Sequence, residues 1–151
     1  MEKYKRELQW LEHFMTIAKT VSTMSKDPSR KIGAVIVDKN KRIISTGFNG
    51  FAKGIVDSEE RLQDKEMKRM LMLHAEENAI LHAKQDLTDC SIFVYGYPPC
   101  VHCMSLIIQS GIKLVYYRNS SDLNAVSQFW KDNLELSLKL AEEASVAVID
   151  I

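Results

Sequence analysis

The stretch from Ser91 to Tyr117 constrains the fold more than any other part of the chain. Ser91–Tyr97 reads as a strand, Cys100–Gln109 has helical periodicity behind Pro99, Gly111 stops that helix, and Lys113–Tyr117 reads as a second strand. Two strands joined through a helix form parallel neighbours by a right-handed crossover, so the unit commits the chain to an α/β architecture. Upstream, Ile32–Asp38 and Arg42–Phe48 flank the polar turn Lys39–Asn40–Lys41 and predict a β-hairpin. Tyr4, Leu8, Leu11, Met15, Ala18 and Val21 recur at spacings of three and four, which predicts a helix over Tyr4–Met24, closed by a loop over Ser25–Lys31. Asn49–Ser58, with Gly50 and Gly54, reads as a loop, and the charge-dense Glu59–Leu73 as an accessory helix in which Met67, Met70 and Met72 pack in a core or interface. A helix over His74–Ala83, a last helix over Leu123–Ala144 and a short strand over Val146–Ile149 complete the reading. The fold class is α/β: a single three-layer α/β/α domain over residues 1–151, with a mixed sheet of about five strands.

Composition narrows the function. With 46% hydrophobic and 26% charged residues, the chain has the make-up of an ordinary globular domain rather than a disordered or collagen-like one. Twenty basic residues balance twenty acidic ones, so the strongly basic signature of a polynucleotide-binding protein is missing. The charged start MEKYKRELQW is not a signal peptide, and no apolar run reaches the roughly 20 residues of a membrane span, so a cytoplasmic protein is expected. Three cysteines cannot all pair with one another; they read as metal ligands, a reactive thiol or buried small residues.

The chemistry concentrates in two short stretches, His74–Ala75–Glu76 and Pro99–Cys100–Val101–His102–Cys103, each at the start of a predicted helix. Cys100 and Cys103 share a helix face and can point at one ion, with His74 as a third ligand. Sulfur with imidazole suits zinc, and three protein ligands leave a fourth position for water, whose pKa falls from about 15.7 toward about 7 on binding. Helix starts also favour thiolate over thiol. Glu76, two residues past His74, can reach that water as a proton shuttle without being a ligand. A Cys-x-x-Cys pair taken alone fits closed structural zinc sites and redox motifs equally well, with Cys90, His82 or His102 as further candidate ligands. Cys90 lies at the far end of the Ser91–Tyr97 strand from Cys100, about seven residues or roughly 23 Å of extended chain, and a small buried role suits it better. His13 reads as a packing or surface residue.

The joint pattern His-x-Glu followed by Pro-Cys-x-x-Cys matches the signature of zinc-dependent base deaminases. From Arg30 to Tyr117 the chain resembles the deoxycytidylate (dCMP) deaminase family within the cytidine deaminase fold. The resemblance rests on Lys31–Val37, Gly47–Phe48–Asn49–Gly50, His74–Ile80, Pro99–Cys100 to Cys103, and Leu106–Lys113. It implies that His74, Cys100 and Cys103 bind a catalytic Zn2+ and that Glu76 moves protons between water, the ring N3 and the departing ammonia. It also implies that the Ala75 N–H holds the pyrimidine O2, the Pro98 carbonyl accepts from the 4-amino group, and Asn49 holds base and sugar. Tyr97–Pro98 stands where the family more often has one bulky residue before Pro-Cys, and no cysteine precedes Cys90 to serve a second, structural zinc. For the phosphate, Arg30 and Arg118 are the expected donors, because arginine binds phosphate bidentately.

The implied reaction is hydrolysis of dCMP to dUMP and ammonia, supplying thymidylate synthesis. The resemblance further implies a homo-oligomer, a hexamer, activated by dCTP with Mg2+ and inhibited by dTTP, with effector contacts at Phe48, Asn49 and Gly50; the glycine would give that loop two backbone shapes. Two alternatives stand beside this reading: a related deaminase acting on dCTP, free nucleoside or tRNA, and a non-catalytic structural zinc module. Neutral charge weighs against a nucleic acid polymer, and a glutamate beside an incomplete ligand set weighs against a purely structural site.

Overall fold

The computed structural model describes residues 1–120 and 125–151. In chain order its elements are α1 (Glu2–Ser22), β1 (Gly33–Val37), β2 (Ile43–Phe48), β3 (Gly50–Phe51), α2 (Glu59–Gln63), α3 (Lys65–Leu71), β4 (Met72–Leu73), α4 (Ala75–Ala83), β5 (Ser91–Gly96), α5 (Val101–Gln109), β6 (Leu114–Asn119), α6 (Gln128–Glu143) and β7 (Ala147–Asp150). Five strands form one mixed sheet in the order β2-β1-β5-β6-β7. The hairpin partner β2 and the central β5 both run antiparallel to β1, whereas β5–β6 and β6–β7 are parallel, joined through α5 and α6. The expected three-layer mixed sheet is therefore present.

Alternation along the central strands sorts side chains onto two faces. Ala34, Ile36, Ile92, Val94 and Val115 face one way, into a core closed by Ala75 and Ala79 of α4, Met104 and Ile107 of α5, and Ala141 of α6. Val35, Val37 and Phe93 face the other way and meet Phe14, Met15 and Ala18 of α1. Two glycines permit the close approach of the helices. A β-carbon at Gly33 would collide with the Ala18 carbonyl of α1, and one at Gly47 with the Ala75 carbonyl and the Ala79 amide of α4. The second contact seats the first turn of α4, with His74 at its head, directly against β2. Cys90, 5% exposed, belongs to the larger core.

Three local expectations are corrected. The accessory segment is two short helices, because Asp64 takes an extended backbone conformation that ends α2 while its carboxylate accepts from the Met67 N–H to start α3 (2.9 Å). Neither helix buries a residue, and Met70 is 75% exposed, so the methionines do not supply a core. The stretch expected as a loop contributes β3, which pairs Gly50 with Leu73 and Phe51 with Met72 of β4. Gly50 has no left-handed φ there, so the two-shape argument for that glycine loses its backbone basis. Finally, the last helix begins after Ser127, whose backbone is extended. The predicted start at Leu123 lies outside the described residues.

Candidate active site

Two helix starts meet at one end of the sheet. His74 is the N-cap of α4, in extended conformation, and its backbone N–H donates to the Glu77 side chain (3.0 Å), a capping arrangement that fixes the first turn. Cys100 is the N-cap of α5, and its sulfur accepts from the Cys103 N–H (3.5 Å). The two caps face one another. The His74 Nδ1 lies 3.5 Å from Cys100 Sγ and 3.3 Å from Cys103 Sγ, and the three donor atoms all lie within 4.8 Å of one another. Among the described residues this is the one group of three or more metal-binding side chains drawn together in this way. One imidazole nitrogen and two sulfurs suit a borderline-soft dication such as zinc.

The electrostatics agree with that fit. The Cys100 thiol is pulled down to about 4 by its hydrogen bond from the Cys103 side chain, with His74 adding to the effect against the cost of burial. The Cys103 thiol is pushed up by the same sulfur pairing and by burial. The hydrogen bond to Cys100 holds His74 up near 9. As protein groups the triad therefore gathers an imidazolium at His74, a thiolate at Cys100 and a thiol at Cys103. A dication held there takes the place of the His74 and Cys103 protons, and binding releases them. Glu76, 4% exposed, stands beside the triad, and burial pushes its carboxyl up to about 7, against the lowering field of His74 and with that of Cys100. A carboxyl poised near neutrality can both accept and return a proton.

The triad opens into a cleft of about 320 Å³ whose walls include His74, Ala75, Glu76, Pro98 and Cys100, together with Asn49 and Arg30. The structure thus brings together every residue singled out for metal, catalysis and substrate except Arg118; Cys103, fully buried, joins through the triad rather than the cleft wall. Arg118 does not join them. Its guanidinium binds Glu12 of α1 through two nitrogens (3.1 and 2.7 Å), and its Nε donates to the Ile151 carbonyl (2.8 Å). Asn49 is present but engaged: its Oδ1 accepts from the Ile32 N–H (2.9 Å) and its Nδ2 donates to the Arg30 carbonyl (2.8 Å), so it holds the loop that carries Arg30. Of the effector residues, Phe48 is 39% exposed and its carbonyl accepts from Asn78 of α4, while Gly50 lies in the β3–β4 ladder.

Sequence reasoning missed the opposite wall. Lys65, Lys68 and Arg69 of α3 line the cleft, as do Asp27, Tyr97 and Trp130. Lys68 Nζ pairs with Asp27 (2.9 Å) and reaches Ser29 Oγ (3.1 Å), and Arg30 lies over the Tyr97 ring, 4.6 Å from its centroid. The spacing of three and four among Lys65, Lys68 and Arg69 puts them on one helix face, and that was the available signal. His13, His82 and His102 are exposed and stand outside the triad. Among the described residues, no helix is long and apolar enough to cross a membrane.

Comparison with known proteins places this geometry. The profile of the cytidine and deoxycytidylate deaminase zinc-binding region matches residues 8–119. A protein described as an uncharacterized deaminase in the luxG 3′ region of Aliivibrio fischeri is 41% identical over 140 residues, covering 93% of this chain and 92% of that one. Mouse deoxycytidylate deaminase is 34% identical over 157 residues, covering 95% of this chain and 86% of that one. The crystal structure of dCMP deaminase from cyanophage S-TIM5, in complex with dCMP and dUMP, superposes with a TM-score of 0.70 at 26% identity, covering 93% of this chain and 95% of that one. The profile spans both helix starts and the strand between them, and on that match the chain belongs to the cytidine and deoxycytidylate deaminase family of zinc-binding proteins.

Proposed function

We propose that this chain catalyses the hydrolysis of dCMP to dUMP and ammonia. The observation that carries the reading is the convergence of His74, Cys100 and Cys103 beside the buried Glu76 in a cleft with a cationic mouth. His74, Cys100 and Cys103 would hold zinc, which when bound supplies Lewis-acid activation of the attacking water. Glu76 takes a proton from that water and places it on the pyrimidine N3 as the oxygen bonds to C4, then takes the proton left on that oxygen and delivers it to the amine, which leaves C4 as ammonia. Burial supports this role, since it holds the carboxyl near neutrality and keeps bulk water from competing for the proton. The Ala75 N–H donates to O2 of the base and the Pro98 carbonyl accepts from the 4-amino group, the two together admitting cytosine and disfavouring its isomers. Asn49 acts on the sugar side by fixing the Arg30 loop.

The phosphate fits the cationic mouth. Arg30 on one wall and Lys65, Lys68 and Arg69 on the other offer charge-assisted donors that a nucleoside cannot use. A homo-oligomer under dCTP–Mg2+ activation and dTTP inhibition, with contacts at Phe48, Asn49 and Gly50, remains part of the proposal on the family resemblance alone, as does a cytoplasmic location. The test is an ammonia-release assay on dCMP, CMP, dCTP and deoxycytidine. dCMP should give the highest kcat/KM; equal efficiency on deoxycytidine would make the protein a nucleoside deaminase, and no turnover of any of the four would overturn the reading.

A further inference from the structure

The family match ends at residue 119, yet the C-terminal helix α6 grips the segment that carries Cys100 at three alternating positions. The Tyr97 hydroxyl donates to the Trp130 carbonyl (3.4 Å), the Pro99 carbonyl accepts from Ser137 Oγ (2.8 Å), and the Val101 N–H donates to Asn133 Oδ1 (3.0 Å). The two residues in between, Pro98 and Cys100, line the cleft. Trp130, Asn133, Ser137 and Ala141 follow one another at spacings of three and four, so they form one face of α6.

Ser137, one of the polar members of that face, stands where packing alone would place an apolar side chain. Ser137 is fully buried, 0% exposed, and its neighbour one turn on, Ala141, belongs to the main core. Pro98 and Pro99 are themselves buried and lack N–H groups, so this turn offers carbonyls without local donors to match them. Ser137 supplies a donor. The first N–H of α5 likewise needs an acceptor, because the Cys100 side chain serves the N–H of Cys103 instead. Asn133 supplies that acceptor and leaves the Cys100 sulfur free of a second amide.

From this geometry we infer that Asn133 and Ser137 are positioning residues, setting where the Cys100 sulfur and the Pro98 carbonyl stand in the cleft. The inference deepens the proposed function and rests on it for the roles of those two groups. The contacts themselves do not depend on metal, which gives the test an arm of its own. In chelator-treated protein, the rate at which iodoacetamide alkylates each cysteine is followed by mass spectrometry in Asn133→Leu, Ser137→Ala, Asn133→Asp and the exposed control Leu136→Ala. Alkylation of Cys100 should rise by about tenfold in the first two variants, in line with outer-shell effects on metal ligands. Asn133→Asp, which keeps the acceptor, and Leu136→Ala should match the wild type. In zinc-loaded protein the same two variants should release zinc to a chelator faster and lower kcat more than they raise KM. Unchanged alkylation at Cys100 in both variants overturns the inference, and so does equal acceleration at Cys100 and Cys103 with a fall in Tm, which marks general loosening. A wild type that binds no zinc overturns the proposed function instead, while the alkylation arm still decides this one.

Discussion

The two walls of the cleft are built on opposite principles. One wall is made of helix starts that the core holds in place: α4 lies against β2 at Gly47, and α5 is packed through Cys103, Met104 and Ile107. The other wall, α3, buries no residue and is tied down by the two-residue β3–β4 ladder and the partly buried Lys68–Asp27 pair. Reactive groups that must stay within tenths of an ångström stand on the rigid wall, and three of the four lysines and arginines that line the cleft, Lys65, Lys68 and Arg69, stand on the thin one. The contrast teaches a division of labour: substitutions on the first wall should remove chemistry, and those on the second should shift recognition.

The strongest test of the first wall is Cys103→Ala, which removes a buried ligand. Zinc content of the purified protein should fall to near zero and turnover with it, whereas Cys90→Ser, in the core, should retain both; equal zinc loss in the two would mean that Cys90 is a ligand and the site closed. Next comes Glu76→Gln. It should keep zinc and fold and yet lose roughly 10²-fold or more in kcat, the expected effect of removing an acid–base group. Near-normal turnover would assign the proton transfers to another residue.

The second wall should respond differently. Arg69→Met should raise KM for dCMP about tenfold, the loss of about 1.4 kcal/mol of charge-assisted binding, with kcat changed much less and deoxycytidine turnover unaffected. A collapse of kcat would show that the thin wall also carries chemistry, and the comparison would fail. The smallest effect is expected outside both walls. Arg118→Ala breaks a largely exposed pair with Glu12 and should cost at most about 1 kcal/mol in denaturant unfolding, with KM for dCMP unchanged; a raised KM would bring Arg118 back to the phosphate.

What the sequence disclosed divides along the same line. Periodicity located α1, the hairpin, α4, α5 and the parallel strands, because each has a buried face that writes apolar spacing into the residues. The ligand set was legible for a second reason, since few chemistries use His-x-Glu and Pro-Cys-x-x-Cys together. The accessory wall has no buried face, so no stripe marked its break at Asp64, and Met67 and Met70 read as packing residues while the informative spacing was that of Lys65, Lys68 and Arg69. Arg118 misled for the opposite reason: its position at the end of β6 is near the mouth in sequence logic, but Glu12, 106 residues away, claims the guanidinium. Ser137 and Asn133 gave no signal at all, because a hydrogen bond to a backbone group leaves no residue-type signature on its partner.

The thinness of the accessory wall also bears on the continuity of the chain. α1, β1 and β2 all precede it, and β5, β6 and β7 all follow it, yet β1 and β5 are neighbours through five paired residues. A cut between Val56 and Asp64 would therefore sever no strand of the main sheet and expose no core side chain. The first piece would carry β2 and β1 and the second β5, β6 and β7, and the β1–β5 ladder between them gives the pieces reason to reassemble. His74, Cys100 and Cys103 would all travel on the second piece, and Arg30 and Asn49 on the first, which makes this segment a natural joint for producing the domain as two complementing fragments.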